Sequence, residues 1–221
     1  MNGVNIISEN GKVGVPPLLS VGVLTYPDRW EVFNKLRTKI LDALEGYEVE
    51  VEFLTIHSPK GAPKIGTKRN LFLDAAKGVY CVMIDDDDDI VENYFDEVIP
   101  ILKRDSPDSI GHLIDCEFYE DGTLTHYAKA IVSNEFVGLS GNKKDGFDYA
   151  QGTYYKVPIL TKLAKLVRFK DISFAEDQDF SLRLKPFLRI ESFINKALYI
   201  YKYDKKTGET RAIRYGDKTL K

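Results

Sequence analysis

The chain has 221 residues, 43% apolar and 29% charged, which is ordinary globular usage and excludes a disordered, collagenous or low-complexity chain. Its net charge of −3 hides an asymmetry: residues 85–89 are five consecutive aspartates, while residues 181–221 carry 11 Lys or Arg against 4 Asp or Glu. No apolar run is long enough for a membrane span, the first 15 residues have neither the basic start nor the apolar stretch of a secretory signal, and two cysteines, Cys81 and Cys116, are too few for a disulfide scaffold or a four-ligand zinc site. A reducing, cytoplasmic setting is the default expectation.

In chain order, Leu18–Leu24 reads as a buried strand, and Trp30, Phe33, Leu36, Ile40, Leu41 and Leu44 then recur at helical spacing. Val49, Val51 and Phe53 alternate with glutamates and run into Leu54–Ile56, a second strand, before a loop over 57–63 rich in Pro and Gly. Residues 67–77 suit a helix closed by Gly78 in the C′ position. Val79–Ile84 is a continuous apolar strand that ends where the aspartates begin, and 92–103 reads as a further helix. Three strand–helix units in succession predict a parallel α/β sheet with buried strands.

The second half differs. Residues 109–119 and 123–137 read as strands joined at Asp121-Gly122, a hairpin signal. Residues 138–149 are Gly- and Asp-rich and suggest a mobile loop. Residues 158–167 and 175–185 look helical, Pro186 stops the second helix, Ala197–Tyr203 is a last strand, and a basic tail follows. No repeat or linker divides the chain, so one domain over 1–221 is expected. Its parts would be a ligand-binding half at 18–130, a second half at 131–203 and the tail at 204–221.

Five adjacent carboxylates repel one another, on the order of 4 kcal/mol for a pair ~4 Å apart at an effective dielectric near 20. A run at the end of a buried strand therefore calls for positive charge nearby, and the ends of parallel strands are where α/β folds place ligands. Oxygen-only donors suit Mg²⁺ or Mn²⁺. Alternation along an extended segment would put Asp85, Asp87 and Asp89 on one side. An EF-hand reading fails, because Ile90 stands where its glycine belongs and Asp96 where its last glutamate belongs. A merely solvated acidic loop is the bland alternative.

Two further motifs stand out. Gly66-Thr67-Lys68-Arg69-Asn70 opens the helix before the aspartate strand. Cations in a first turn oppose the helix dipole unless they reach an anion such as a diphosphate, the alternative being two surface cations with folded stems. Ala175-Glu176-Asp177-Gln178-Asp179-Phe180 enters a short helix, and Asp177 shares a face with Phe180 and Leu184. An inward carboxylate at a helix N-terminus suits a general base, or else a helix cap. Asp179 and Arg183, at i and i+4, suit a supporting ion pair.

Together these stretches, with Val23-Leu24-Thr25-Tyr26-Pro27-Asp28-Arg29 and Leu198-Tyr199-Ile200-Tyr201, resemble a family 2 glycosyltransferase over residues 18–203. The resemblance implies a GT-A (Rossmann-like) α/β fold, a mostly parallel sheet with an antiparallel acceptor-side portion. It implies that Asp85 and Asp87 are the D-x-D pair holding Mn²⁺ or Mg²⁺, that Asp88 is a further acidic position, and that Asp177 is the base of an inverting transfer. Thr25, Tyr26, Arg29, Lys68, Arg69, Asp85 and Asp86 would line the nucleoside-diphosphate sugar, UDP-sugar in the first instance, and Gln151, Tyr154 and Glu176 the acceptor side. Tyr149, Tyr154 and Tyr155 would help to cover the acceptor. The family's second strand usually ends in an aspartate that contacts uracil, and here Thr55-Ile56-His57-Ser58 stands instead. The acceptor is expected to be a glycan or a lipid-linked sugar, with a nucleic acid such as a modified phage DNA base as the other possibility. Rival readings are a nucleotidyltransferase releasing pyrophosphate and a non-catalytic divalent-cation or polyanion module, which would tolerate loss of Asp177.

Overall fold

The computed structural model describes residues 3–9, 14–140 and 146–205. Among them the strands are β1 (Asn5–Glu9), β2 (Leu19–Thr25), β3 (Val51–His57), β4 (Tyr80–Asp85), β5 (Asp89–Ile90), β6 (Ser109–Glu120), β7 (Thr123–Val132), β8 (Leu139–Ser140), β9 (Tyr149–Gln151), β10 (Ile159–Leu160) and β11 (Glu191–Asp204). The helices are α1 (Trp30–Ala43), α2 (Ile65–Ala75), α3 (Tyr94–Asp105), α4 (Thr161–Val167) and α5 (Glu176–Leu184). The strands form one mixed sheet in the order β1-β3-β2-β4-β10-β6-β7-β9-β8, with β11 beside β6 and β5 beside β11.

The parallel core is β3, β2 and β4, as the three strand–helix units predict. These strands are buried along almost their whole length, which is why they read as apolar runs rather than alternating ones. Phe33, Leu36 and Ile40 of α1, Phe72 and Leu73 of α2, and Phe95, Val98 and Leu102 of α3 pack into the core. The glutamate alternation before β3 hides a buried charge. Glu52 is inside, where its Oε1 accepts from the Ser20 hydroxyl at 2.5 Å and from the Lys77 and Gly78 N–H groups at 2.6 and 3.2 Å.

Gly78 is therefore not a left-handed helix cap. The cap residue Ala76 is extended, and a Cβ on Gly78 would lie 2.5 Å from the Ser20 nitrogen, so the glycine serves close approach of two backbones. The antiparallel half follows the hairpin signal: Asp121 (φ 51) and Gly122 (φ 76) are both left-handed, the geometry of a two-residue turn between β6 and β7. β11 is longer than the seven residues expected, because Glu191–Asp204 runs parallel to β6, with irregularities between Ile194 and Tyr199. β1 was not expected at all; it adds an antiparallel edge to β3. Of the expected loop at 138–149, β8 and the start of β9 are strand, and residues 141–145 lie outside the described residues, as does the tail from 206 on.

Candidate active site

β2 and β4 run parallel and end side by side, delivering Thr25 and Asp85 to the same edge of the sheet. The alternation expected of the aspartates is absent, because the chain turns after β4 and the Asp88 N–H donates to the Asp85 carbonyl at 3.0 Å. The turn sorts the five carboxylates into three groups. Arg29 Nη1 meets Asp86 at 2.5 Å and Asp87 at 3.0 Å. Lys156 Nζ meets Asp88 at 2.5 Å and Asp85 at 3.0 Å. Lys39 and Lys202 both reach Asp89 at 2.9 Å. All five aspartates are ion-paired, with cations drawn from β11, α1 and the flanking loops.

Lys156 has no counterpart in the sequence reading, although a lone lysine within the apolar stretch Tyr154–Leu160 is a signal that it must be neutralised inside. It is buried, with the Tyr201 and Tyr199 ring centroids 4.7 and 4.8 Å from its ammonium. Burial favours the neutral amine, but Asp85 and Asp88 hold Lys156 protonated well above its ordinary range. Burial likewise opposes ionisation of Asp85, and Lys156 with Arg69 overrides it, holding that carboxyl below the usual range. The Tyr155 hydroxyl donates to Asp85 at 2.7 Å, the Tyr199 hydroxyl donates to Asp88 at 2.6 Å, and the Lys202 N–H donates to Asp88 at 2.8 Å.

α2 begins at Ile65, two residues earlier than expected, so Lys68 and Arg69 lie past its first three residues. Both are buried, which removes the surface-cation reading. Gly66 makes this possible: a Cβ there would fall 1.8 Å from the Lys170 carbonyl oxygen, and its N–H donates to the Ile172 carbonyl at 3.2 Å. Lys68 Nζ donates to the Pro59 carbonyl at 3.5 Å. The Arg69 guanidinium stacks on Tyr155, 3.4 Å from the ring centroid, and reaches Asp85 at 3.4 Å and Glu176 at 3.3 Å. Arg69 thus ties the aspartate strand to the second acidic motif.

In that motif Glu176, not Asp177, takes the fully inward position. The left-handed Ala175 (φ 57) turns the chain into α5, so the helical phase expected from Phe180 and Leu184 leaves Asp177 half-buried. Its Oδ1 accepts from the Gln178 N–H at 2.8 Å, and its charge is felt by Arg69, Tyr154 and Tyr155. Burial raises the Glu176 carboxyl, with Arg69 opposing. Asp179 pairs with Arg183 at 2.5 Å, as the spacing predicts, and also with Lys170.

At the other end, the Tyr26 ring has Arg29 and Lys60 over it at 5.3 and 5.4 Å. Ser58 Oγ is buried without a hydrogen-bond partner, the buried Thr25 hydroxyl lies beside the Asp86 carboxylate, and the Ser58 N–H donates to the Thr25 carbonyl at 3.1 Å. Burial pushes the Asp86 carboxyl up to about 6 against the pull of Arg29. His57 ends β3 with its ring 5.7 Å from Trp30 and 5.5 Å from Phe33. Gln151 and Tyr154 are buried, and Tyr154 packs edge-on against Tyr155 at 5.1 Å, so Tyr154 belongs to the support of the site rather than to an exposed cover.

Among the described residues no three Asp, Glu, His or Cys side chains are grouped to cage a metal ion. Mg²⁺ is commonly held by one or two carboxylates with substrate phosphates completing its shell, and that is the arrangement these residues fit. Asp87, with a side chain 44% exposed, is the most accessible of the five, and Asp85 at 28% is next.

No family model matches the chain. It is 25% identical over 175 residues to a Bacillus subtilis (strain 168) protein named "Putative glycosyltransferase EpsH", covering 73% of this chain and 48% of that one. It superposes on S. aureus TarS 1-349 with a TM-score of 0.52 at 16% identity, covering 83% of this chain and 60% of that one. For TarS 1-349 in complex with UDP-GlcNAc the TM-score is 0.55 at 17% identity, covering 89% and 61%. The chain spans about half the length of the curated relative and three fifths of these structures. The fold is accordingly of the GT-A glycosyltransferase type.

Proposed function

We propose that this chain is a glycosyltransferase moving a sugar from a nucleoside-diphosphate sugar, a UDP-sugar in the first instance, to an acceptor hydroxyl with inversion. The observation that carries the reading is the Arg69 bridge, which joins Asp85 at the end of β4 to Glu176 at the start of α5. Two acidic motifs far apart in sequence thereby face one site on a fold of the glycosyltransferase type. The UDP-GlcNAc complex of TarS supports the choice of donor.

In this reading Tyr26, the Thr25 hydroxyl and the unpartnered Ser58 hydroxyl border the nucleoside, with Asp86 beside them. Asp87 and Asp85 would hold Mn²⁺ or Mg²⁺, which when bound neutralises charge on the diphosphate leaving group. Asp177, half-exposed beside buried Glu176, takes the proton from the acceptor hydroxyl as its oxygen attacks the anomeric carbon and the sugar–phosphate bond breaks. Glu176 and Arg69 hold the start of α5 so that Asp177 keeps its aim. Gln151 and Tyr154 support the acceptor side from beneath. A glycan is the acceptor this reading favours.

Screening nucleoside-diphosphate sugars for thermal stabilisation with and without Mn²⁺ tests it. A metal-dependent rise in melting temperature with one donor family is expected. No stabilisation by any nucleotide would remove the reading, and pyrophosphate release from a sugar phosphate and a nucleoside triphosphate would replace it with nucleotidyl transfer.

A further inference from the structure

A run of five aspartates at a strand end would ordinarily be a ready trap for divalent cations. Here five side-chain cations, Arg29, Lys39, Arg69, Lys156 and Lys202, already meet the five carboxylates. Two of them bridge pairs of these carboxylates: Arg29 joins Asp86 and Asp87, and the buried Lys156 joins Asp85 and Asp88.

We infer that Lys156 is a built-in counter-cation, a positioning residue that keeps Asp85 and Asp88 from capturing a divalent ion by themselves, so that Asp85 and Asp87 take the ion only together with a diphosphate. This rests on the reading of the site as one for a nucleoside diphosphate. Three observations carry it. The ammonium is buried and touches both carboxylates, so it is not a mobile surface charge. The remaining capacity of Asp88 is filled by the Tyr199 hydroxyl and the Lys202 N–H, which fixes that carboxylate as a structural group. Asp87 is the most accessible of the five, at 44% exposed, yet it is paired with Arg29, and no grouping of three potential ligands exists among the described residues. One or two carboxylates by themselves hold Mg²⁺ or Mn²⁺ poorly, and phosphate oxygens supply the missing donors.

The Asp85–Asp88 pair is thus held by Lys156, and the site gains its ion with the donor. The same pairing offsets the mutual repulsion of five adjacent carboxylates at the end of a buried strand.

The test is Mn²⁺ binding, followed by electron paramagnetic resonance and calorimetry, with the metal alone and with UDP present. The wild-type chain should bind Mn²⁺ alone at least about tenfold more weakly than with saturating UDP. Lys156→Gln should gain affinity for Mn²⁺ alone, and Lys156→Arg should retain the wild-type behaviour. Because Lys156→Gln leaves buried carboxylates exposed to one another, a double variant Lys156→Gln/Asp88→Asn provides a milder removal of the pair, and it should still bind Mn²⁺ alone more tightly than wild type through the freed Asp85. Equal affinity of the wild type for Mn²⁺ with and without UDP overturns the inference, as does unchanged affinity for Mn²⁺ alone in folded Lys156→Gln and in the folded double variant. Failure of UDP to bind under any condition would instead strike the donor-site reading, a separate result visible in the same titrations.

Discussion

Arg69 and Glu176 lie 107 positions apart in the sequence, yet the guanidinium Nε is 3.3 Å from the Glu176 carboxylate inside the protein. The same guanidinium rests on the Tyr155 ring and reaches Asp85, so one side chain sets the relation between the end of β4 and the start of α5.

That relation can be broken from either side. Arg69→Met would leave Glu176 buried without its partner, and a loss of about 3 kcal/mol in unfolding free energy is expected. Adding Glu176→Gln should recover part of it, because the bare charge is gone. Urea denaturation of the two single variants and the double variant measures the coupling. Additive losses would mean that the pair does not act as a unit.

Gly66→Ala should lower stability by roughly 1–3 kcal/mol, the usual range for overpacking, because the new methyl meets the Lys170 carbonyl oxygen. The shift of α2 should carry Arg69 with it and weaken nucleotide binding in the folded fraction. Unchanged melting temperature and unchanged UDP affinity would argue against a tight contact there.

His112 is wholly buried, and burial pushes its imidazole down to about 4. The unfolded chain takes up that proton near pH 6.5, whereas the folded chain resists it, so stability is lost as pH falls from about 6.5 to about 4. This single group contributes on the order of 3 kcal/mol over the window. His112→Gln should flatten the acid limb of the stability profile by that amount. A variant with the same slope as wild type would assign the acid loss to other groups.

Asp177→Asn should reduce sugar transfer by roughly 10²–10⁴ while leaving donor affinity and melting temperature nearly unchanged. The amide can still accept from the Gln178 N–H, so folding is spared. Transfer at the wild-type rate would remove Asp177 as the base.

Much of this architecture is legible where the signal is local. The apolar run before the aspartates marks β4, the Asp121-Gly122 pair marks the hairpin through its two left-handed residues, and the i, i+4 spacing of Asp179 and Arg183 marks their ion pair. What escaped the sequence depends on distant partners. Lys156 gains its meaning from Asp88, 68 positions earlier, and the short, exposed β1 is a strand through its pairing with β3. Glu52 reads as half of an alternating surface pattern until Ser20 and the backbone of Lys77 and Gly78 are seen around it. The inward place of Glu176 follows from the left-handed turn at Ala175, a conformation that an alanine does not advertise.

The most direct measurement of the central claim is calorimetric titration of UDP into the wild-type chain and Asp87→Ala, each with Mn²⁺ and with a chelator. The account predicts one-to-one binding to the wild type that weakens sharply in chelator, and weak, metal-insensitive binding to Asp87→Ala. Equal UDP affinity in all four titrations, or no binding of UDP in any of them, would contradict it.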